Sequence, residues 1–171
     1  LKLSYLLVNN LLTKEDLTIL FKKLNYIHNS KILKDHNKIN IYDNYSKKFN
    51  TRTKNLKKYK KKYLNKVSEY LKSYESFNKG KIGVIHGDPV LSNIIKKNNN
   101  DLIFIDPRGS LGKNFTIFGD INYDFAKIYQ SLTGYENIIL EKKIDQNYLN
   151  DLKSHFENLI INKNQIDYVE T

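Results

Sequence analysis

The chain of 171 residues contains no cysteine, methionine or tryptophan, and only two prolines and seven glycines. Without cysteine it can form no disulfide and no thiolate metal site. No apolar run approaches the length needed to span a bilayer, and the first residues show no signal-peptide pattern. We therefore expect a soluble cytoplasmic protein of about one domain, with no membrane partner.

Two further absences concern the beginning of the chain. It starts with Leu1 instead of methionine, which indicates a fragment or a processed chain. Its first glycine is Gly80, so no glycine-rich phosphate-binding loop is present in the first 79 residues.

The positive charge is concentrated in the first half of the chain. Residues 1–80 contain 19 lysines and arginines against 6 acids, whereas residues 81–171 contain 10 against 12. Only two of the 29 cations are arginine, the residue whose planar fork favours specific recognition of phosphates and bases. The net charge of +11 is therefore weak support for a nucleic-acid partner.

The first 50 residues predict one helix between two irregular segments. Thr13 is a suitable N-cap with Asp16 three residues later, and apolar residues then recur at helical spacing, which predicts an amphipathic helix over residues 14–29. Residues 1–12 are apolar and irregular, and predict a short strand or a connector. The Asn-rich residues 30–50 predict a loop or an insertion.

A second helix is predicted over residues 51–77. Apolar residues step by three or four along it, at Leu56, Tyr59, Tyr63, Val67, Tyr70, Tyr74 and Phe77. We interpret this stripe as facing the core and the lysines on the other faces as solvated. The alternative is a helix that binds nucleic acid or an anionic surface, but buried aromatic rings would not be free to stack on bases.

The second half of the chain changes to β-structure after Gly80. Residues 82–85 predict a short strand that leads into H-G-D-P-V-L-S-N at residues 86–93. A hairpin with a polar turn follows, and its second strand, residues 102–105, ends at Asp106. The remaining expectations are a loop over 109–119, a helix over 123–134 and one or two helices within 136–163. The fold class is therefore α+β and mostly helical.

Asp88, Asn93 and Asp106 have the spacing that phosphoryl transfer requires. In-line transfer needs an oriented hydroxyl, an acceptor for its proton and neutralisation of the phosphate charge. Asp88 can orient and deprotonate an alcohol, while Asn93 and Asp106 offer oxygen ligands of the kind that Mg²⁺ prefers. Each residue alone is more often a turn or cap residue. The combination of strand, H-x-D-x-x-x-x-N, hairpin and strand-ending aspartate makes that simpler interpretation improbable.

This pattern resembles the aminoglycoside phosphotransferase and choline kinase superfamily, which has a protein-kinase-like fold. The resemblance spans roughly residues 17–135 and is strongest over 82–130. It includes G-D-I-N-Y-D-F-A-K at 119–127, similar to the family's G-D-x-x-x-D-L-A, and the helix that ends in L-N-Y-I-H at 24–28.

The resemblance implies roles for five of these residues. Asp88 would be the catalytic base, and Asn93 and Asp106 would bind Mg²⁺ in a reaction with ATP. Asp124 would support the loop by accepting backbone N–H bonds, and His86 would pack and hydrogen-bond within it.

The sequence P-R-G after Asp106 departs from the family pattern. Arg108 is a candidate contact for an anionic substrate or a phosphate. An equally weighted alternative is that Arg108 forms a salt bridge to Asp120 or to another carboxylate.

The resemblance implies only the C-terminal lobe of such a fold, with the short hairpin carrying the catalytic and metal-binding loops. Kinase-like folds hold ATP between two lobes under a glycine-rich loop, which is missing before Gly80. We expect residues 1–12 to be the hinge from an N-terminal lobe in the same or a separate chain, and residues 13–171 to form the C-terminal lobe.

The expected function is ATP- and Mg²⁺-dependent phosphorylation of a hydroxyl on a small molecule of choline, ethanolamine, amino-alcohol, sugar or aminoglycoside type. Two alternatives stay open. The chain can be an inactive binding module that kept the fold, or, less favoured, a nucleic-acid or anionic-surface binder that uses the lysine-rich helix.

Overall fold

The computed structural model describes residues 1–30, 39–54, 61–98 and 101–169, with side chains as far as residue 161. Within these residues the chain forms seven α-helices and three two-stranded antiparallel sheets, so the α+β, mostly helical class is confirmed. The helices are α1 (Leu3–Val8), α2 (Lys14–His28), α3 (Ser46–Thr53), α4 (Lys61–Ser76), α5 (Ile121–Leu132), α6 (Tyr135–Ile139) and α7 (Gln146–Val169). The strands are β1 (Ile82–Val84), β2 (Ile94–Lys96), β3 (Leu102–Phe104), β4 (Ser110–Leu111), β5 (Asn114–Phe115) and β6 (Phe118–Asp120).

The sheets determine where the H-G-D loop lies. β1 pairs with β6, with Val84 opposite Phe118, and β2 pairs with β3, with Ile94 opposite Phe104. The loop between β1 and β2, which ends in a 3₁₀ turn at Leu91–Asn93, therefore runs from one sheet to the other. The predicted strand before the loop and the hairpin after it are confirmed; residues 99–100 of the hairpin turn lie outside the described residues.

The prediction of a loop over residues 109–119 was wrong. It contains the β4–β5 hairpin, with Ser110 opposite Phe115, followed by β6. These strands are only two or three residues long, too short to show an alternating pattern in the sequence.

A hydrophobic core joins α1, α2, α5 and α7 to the β2–β3 hairpin. Three phenylalanines lie within it: the ring centroid of Phe125 is 5.6 Å from that of Phe21 and 6.4 Å from that of Phe156. Phe156 is fully buried. The core therefore binds α5, which carries Asp124, to α2 and α7.

The predictions for α2 and for the C-terminal helices are confirmed. Thr13 and Asp16 form a complete capping box at the start of α2, with both reciprocal hydrogen bonds at 3.1 Å. The predicted helix near 123–134 is α5, and residues 136–163 contain most of α6 and α7. Among the described helices, none combines the length and apolar composition required to cross a bilayer.

The prediction of a strand or connector near the beginning of the chain was wrong for residues 3–8. These residues form α1, and its leucines, for example Leu3 and Leu7, are buried in the core. Only Leu1 and Lys2 pair with β2: the N–H of Lys96 donates to the carbonyl of Leu1 at 2.8 Å. Six residues are too few for helical periodicity to be distinguished from an irregular apolar run.

The helix predicted over 51–77 was only partly right. Helix α3 begins at Ser46, inside the segment predicted as a loop, and α4 begins at Lys61; residues 31–38 and 55–60, with Leu56 and Tyr59, lie outside the described residues.

The interpretation of the aromatic stripe as core-facing was also wrong. No residue of α4 is buried, and Tyr63, Val67 and Tyr70 are 63%, 43% and 65% exposed. Among the described residues of the stripe, Tyr74 is the one that is partly buried, and its hydroxyl donates to Asp120 at 2.6 Å. Periodicity shows that a helix has an apolar face but does not show what covers it.

Removal of a leucine from α1 tests whether this helix belongs to the core. Because Leu7 is buried, we expect Leu7→Ala to lower the free energy of unfolding by about 2–5 kcal/mol, the usual cost of a core cavity. Urea denaturation measures the change as a lower midpoint at an unchanged m-value. The control is Tyr5→Ala on the exposed face of the same helix, which should change stability by less than about 0.5 kcal/mol. Equal effects of the two variants would contradict the placement of α1.

Candidate functional site

One buried carboxylate supports the loop that follows β1. Asp124 lies in the first turn of α5 with no exposed surface. Its Oδ2 accepts the N–H of His86 and its Oδ1 accepts the N–H of Gly87, both at 2.8 Å. His28, at the end of α2, contacts Oδ2 through Nε2 at 3.1 Å. The backbone hydrogen bonds expected of Asp124 are thus present, and His28 adds a contact that the sequence analysis did not assign.

His86 and Gly87 shape the start of the loop. Nδ1 of His86 accepts the N–H of Asp88 at 3.3 Å, so the ring proton belongs on Nε2, which donates to the carbonyl of Ile105 at 2.9 Å. Gly87 has a φ of 83°, and a Cβ atom there would lie 2.8 Å from Cβ of Arg108. Both the backbone angle and the close approach therefore require glycine at this position.

Asn93 connects the loop of Asp88 to the strand that ends at Asp106. Its side-chain Nδ2 donates to the carbonyl of Asp88 at 3.0 Å. Its backbone carbonyl accepts the N–H of Ile105 at 3.0 Å. The amide nitrogen is thus held by the loop, which leaves the Oδ1 atom of Asn93 as the only side-chain atom of this residue that could act as a ligand.

Asp88 faces two cations on one side. Its Oδ1 is buried and makes no hydrogen bond of good geometry within the described chain, but it lies 3.0 Å from Nζ of Lys127 and 3.7 Å from the guanidinium of Arg108. The Asp88 side chain is nevertheless 32% exposed, so its accessible part is the side away from these cations. A partly neutralised carboxylate with one open side can accept a hydrogen bond, and then a proton, from a bound alcohol.

Asp106 lies at the end of β3 with a backbone φ of 55°, in the left-handed region that few non-glycine residues adopt. Its side chain is exposed, and no described residue donates to its carboxylate. Left-handed aspartates of this kind are a known form of strain at functional sites.

The residues here that could hold a metal ion carry oxygen donors. The described residues include no cluster of three histidine, cysteine, aspartate or glutamate side chains of the kind that binds zinc or calcium. Mg²⁺ needs only one or two protein oxygens, because waters and substrate phosphates complete its coordination. Asn93 and Asp106 are the residues that could supply such oxygens.

Arg108 is fixed by an aromatic ring beside Asp88. Its Nη1 donates to the hydroxyl of Tyr123 at 2.9 Å, and its guanidinium lies 5.5 Å from the centroid of that ring. From the sequence, one alternative for Arg108 was a salt bridge to Asp120 or to another carboxylate. The contact with Asp120 is absent, and the carboxylate beside Arg108 is that of Asp88.

Asp120 instead joins α3 and α4 to the rest of the chain. It is buried and caps α5, and its oxygens accept the N–H of Lys81 and the hydroxyls of Tyr45 and Tyr74. Burial, followed by the charge of Asp120, raises the pKa of Tyr45, which therefore remains a hydrogen-bond donor. With its oxygens occupied in this way, Asp120 has little capacity left for Arg108.

Another buried acid, Glu136, is linked to the H-G-D loop through Ser131. The N–H of Leu91 donates to Oγ of Ser131 at 3.2 Å, and Ser131 donates to Oε1 of Glu136 at 2.7 Å. Oε2 of Glu136 is buried and has no partner within the described chain. Burial raises the pKa of Glu136 above its ordinary value of 4.5, and the hydrogen bond from Ser131 opposes this only in part.

Sequence reasoning missed Lys127 and His28, although both have a recognisable position. Lys127 follows Asp124 by three residues, so the two side chains leave α5 on the same face and reach the same loop. His28 ends α2 and is buried against Phe125, with ring centroids 5.1 Å apart. The helical spacing in the first case could have been noticed; the second depends on how α2 packs.

The chain was compared with protein-family models, with characterised proteins and with solved structures, and none of them matches it. The site must therefore be judged on the geometry of its own residues.

Replacement of Glu136 by glutamine tests the buried acid through pH. The folded state holds the proton of Glu136 more tightly than the unfolded state, so its contribution to stability is complete below pH 4.5 and is lost as the pH rises through the raised pKa. We expect the native protein to lose stability relative to Glu136→Gln between about pH 4.5 and neutrality. The difference in unfolding free energy, measured in urea at several pH values, gives the slope.

The matched control is Glu69→Gln, which removes an exposed carboxylate of α4. Its difference from the native protein should be nearly flat over the same pH range. If the stability difference between Glu136→Gln and the native protein is equally independent of pH, then burial does not raise the pKa of Glu136.

Proposed function

We propose that this chain carries the catalytic half of a cytoplasmic phosphotransferase that uses ATP and Mg²⁺ to phosphorylate a hydroxyl group of a small molecule. One observation carries the proposal. Asn93 donates to the carbonyl of Asp88, and its own carbonyl accepts from Ile105, the residue before Asp106, so the loop of the candidate base is hydrogen-bonded to the segment that carries the second candidate metal ligand.

In this proposal each residue has a distinct part. Asp88 orients the acceptor hydroxyl with the open side of its carboxylate and takes its proton as the hydroxyl oxygen bonds to the γ-phosphorus of ATP and the bond from that phosphorus to ADP breaks. Lys127 and Arg108 hold the opposite side of Asp88 in place. Asn93 and Asp106 would hold Mg²⁺, which when bound neutralises charge on the phosphates of ATP. Asp124 and His86 keep the loop in position.

Residues other than these would have to bind much of the nucleotide. Because no glycine precedes Gly80, no glycine-rich loop can cover ATP from the N-terminal side within these residues. The proposed enzyme therefore has an N-terminal lobe, in the same or a separate polypeptide. Residues 3–8 would not form the hinge to it, because they form α1, whose leucines are buried in the core.

Asp88→Asn is the central test. In the full-length protein, with labelled ATP, Mg²⁺ and a panel of small alcohols, we expect the variant to transfer phosphate at least about a hundredfold more slowly, because an amide cannot accept the proton. The rate of product formation is the measurement.

The control is Asp151→Asn, which removes an exposed acid of α7 that is paired with Lys14 and should leave the rate unchanged. Asp106→Asn should instead raise the Mg²⁺ concentration needed for half-maximal rate. Full activity of Asp88→Asn would refute the assigned chemistry. Binding of ATP and Mg²⁺ without any transfer would indicate an inactive binding module.

A second candidate function, binding of single-stranded nucleic acid by α4, is favoured by the exposure of Tyr63 and Tyr70 beside lysines such as Lys66. Exposed rings are free to stack on bases, so the objection based on their burial does not hold.

Salt dependence and a tyrosine pair test this second function. If it is correct, binding of an oligonucleotide falls steeply with ionic strength, and Tyr70→Ala weakens it by about 1–3 kcal/mol. Tyr26→Ala, which removes an exposed tyrosine of α2, serves as the control. Binding that is insensitive to salt or to Tyr70→Ala excludes the function, as measured by fluorescence anisotropy.

A further inference from the structure

A cavity of about 640 Å³ lies between α3, Arg108 and the β4–β5 hairpin. Its charged lining consists of five cations and one acid: Lys47, Lys48, Arg52, Arg108, Lys113 and Asp43. We call it the basic pocket. Its volume is in the range of pockets that hold small molecules.

The protein balances the charges of the basic pocket only in part: Arg108 lies 3.7 Å from Asp88, and Asp43 is the one acid among the described residues of the lining. The side chain of Asp43 accepts a hydrogen bond from Asn40 at 3.1 Å and is thus part of its own turn. Lys48 is half-buried, and its pKa is lowered by burial and by the nearby charges of Arg108, Arg52 and Lys127. Cations held this close repel one another, and an anion in the cavity would relieve that repulsion.

Arg108 connects the basic pocket to the candidate base. It lines the cavity, and its guanidinium lies 3.7 Å from Oδ1 of Asp88. Tyr123 holds the guanidinium in place, so its position does not depend on a ligand. Asp88 itself does not line the basic pocket, so an acceptor would place its anionic group in the pocket and reach past Arg108 with its hydroxyl to the open side of the Asp88 carboxylate.

Neither Asn93 nor Asp106 lines the basic pocket. The phosphates of a nucleotide donor have to lie beside these proposed metal ligands, because the metal ion bridges them. The cavity is therefore better placed for the acceptor than for the donor.

We propose that the basic pocket binds an anionic group of the acceptor, so that the substrate is an alcohol that carries a phosphate or a carboxylate. This inference rests on the proposed phosphotransferase function. It disfavours choline, ethanolamine and aminoglycosides, whose positive charge the five cations would repel.

Binding of sn-glycerol 3-phosphate to the full chain, followed by NMR, tests the pocket without requiring catalysis. Glycerol is the matched probe without phosphate, and choline is the cationic probe. We expect sn-glycerol 3-phosphate to shift the amide signals of α3 and of the β4–β5 turn, and to bind at least about tenfold more tightly than either of the others.

Variants of the pocket make the test specific. Lys48→Gln and Arg52→Gln should each weaken this binding about tenfold or more, because each removes a charged hydrogen-bond donor. Lys22→Gln, which removes an exposed lysine of α2, is the control of equal charge and should have no effect. If Lys48→Gln does not fold, then Lys113→Gln replaces it, since Lys113 is exposed on the hairpin turn.

The source of the anion is decided by competition. Simultaneous binding of sn-glycerol 3-phosphate and Mg²⁺-tripolyphosphate supports an acceptor site, whereas displacement by tripolyphosphate would assign the pocket to the donor and overturn the inference. Equal binding of glycerol or choline, or insensitivity to both variants, would also overturn it. The pocket and the kinase function can fail separately. If Lys48→Gln transferred phosphate to uncharged alcohols with an unaltered KM, the phosphotransferase function would stand and the acceptor role of the basic pocket would be wrong.

Discussion

The buried carboxylate of Asp124 joins parts of the chain that are far apart in sequence. It receives two backbone N–H groups of the H-G-D loop and the imidazole of His28, and it lies on a helix whose Phe125 is part of the core. A buried charge is tolerated only when it is fully hydrogen-bonded, so the loop, α2 and α5 must occupy one relative arrangement. That arrangement also restricts the position of Asp88, because Asp88 directly follows Gly87 in the loop.

The charges around Asp88 also come from segments that are far apart in the sequence. Lys127 comes from α5 and Arg108 from the segment after β3, and both approach the same oxygen of the carboxylate. One side of Asp88 is thereby occupied, and the other stays accessible. Arg108 also faces the basic pocket, which makes it the physical connection between the proposed chemistry and the proposed selectivity for an anionic acceptor. Gly87 permits this approach, since any side chain at that position would collide with Arg108.

The sequence predicted the elements whose signals are local. The capping box of Thr13 and Asp16, the hairpin after Asn93 and the helix that carries Asp124 each depend on residues within a few positions of one another. Residues that meet across long separations were the ones missed or misjudged. His28 and Asp124 are 96 positions apart, and the exposure of Tyr70 depends on which elements pack against α4. Helix α1 was missed for a different reason, because six residues contain less than two turns of periodic signal.

The order of residues by itself determined which chemical groups enter the loop: an aspartate and an asparagine five positions apart, followed by an aspartate at the end of a strand. That order places three oxygen-bearing side chains on the loop and the hairpin, and the lack of cysteine excludes a thiol among them. Only the tertiary structure decided which cations stand beside Asp88 and which side of it stays open. The physical reason is that local spacing sets the backbone path, whereas charges separated by tens of residues meet only where the packing of the core brings their helices and loops together.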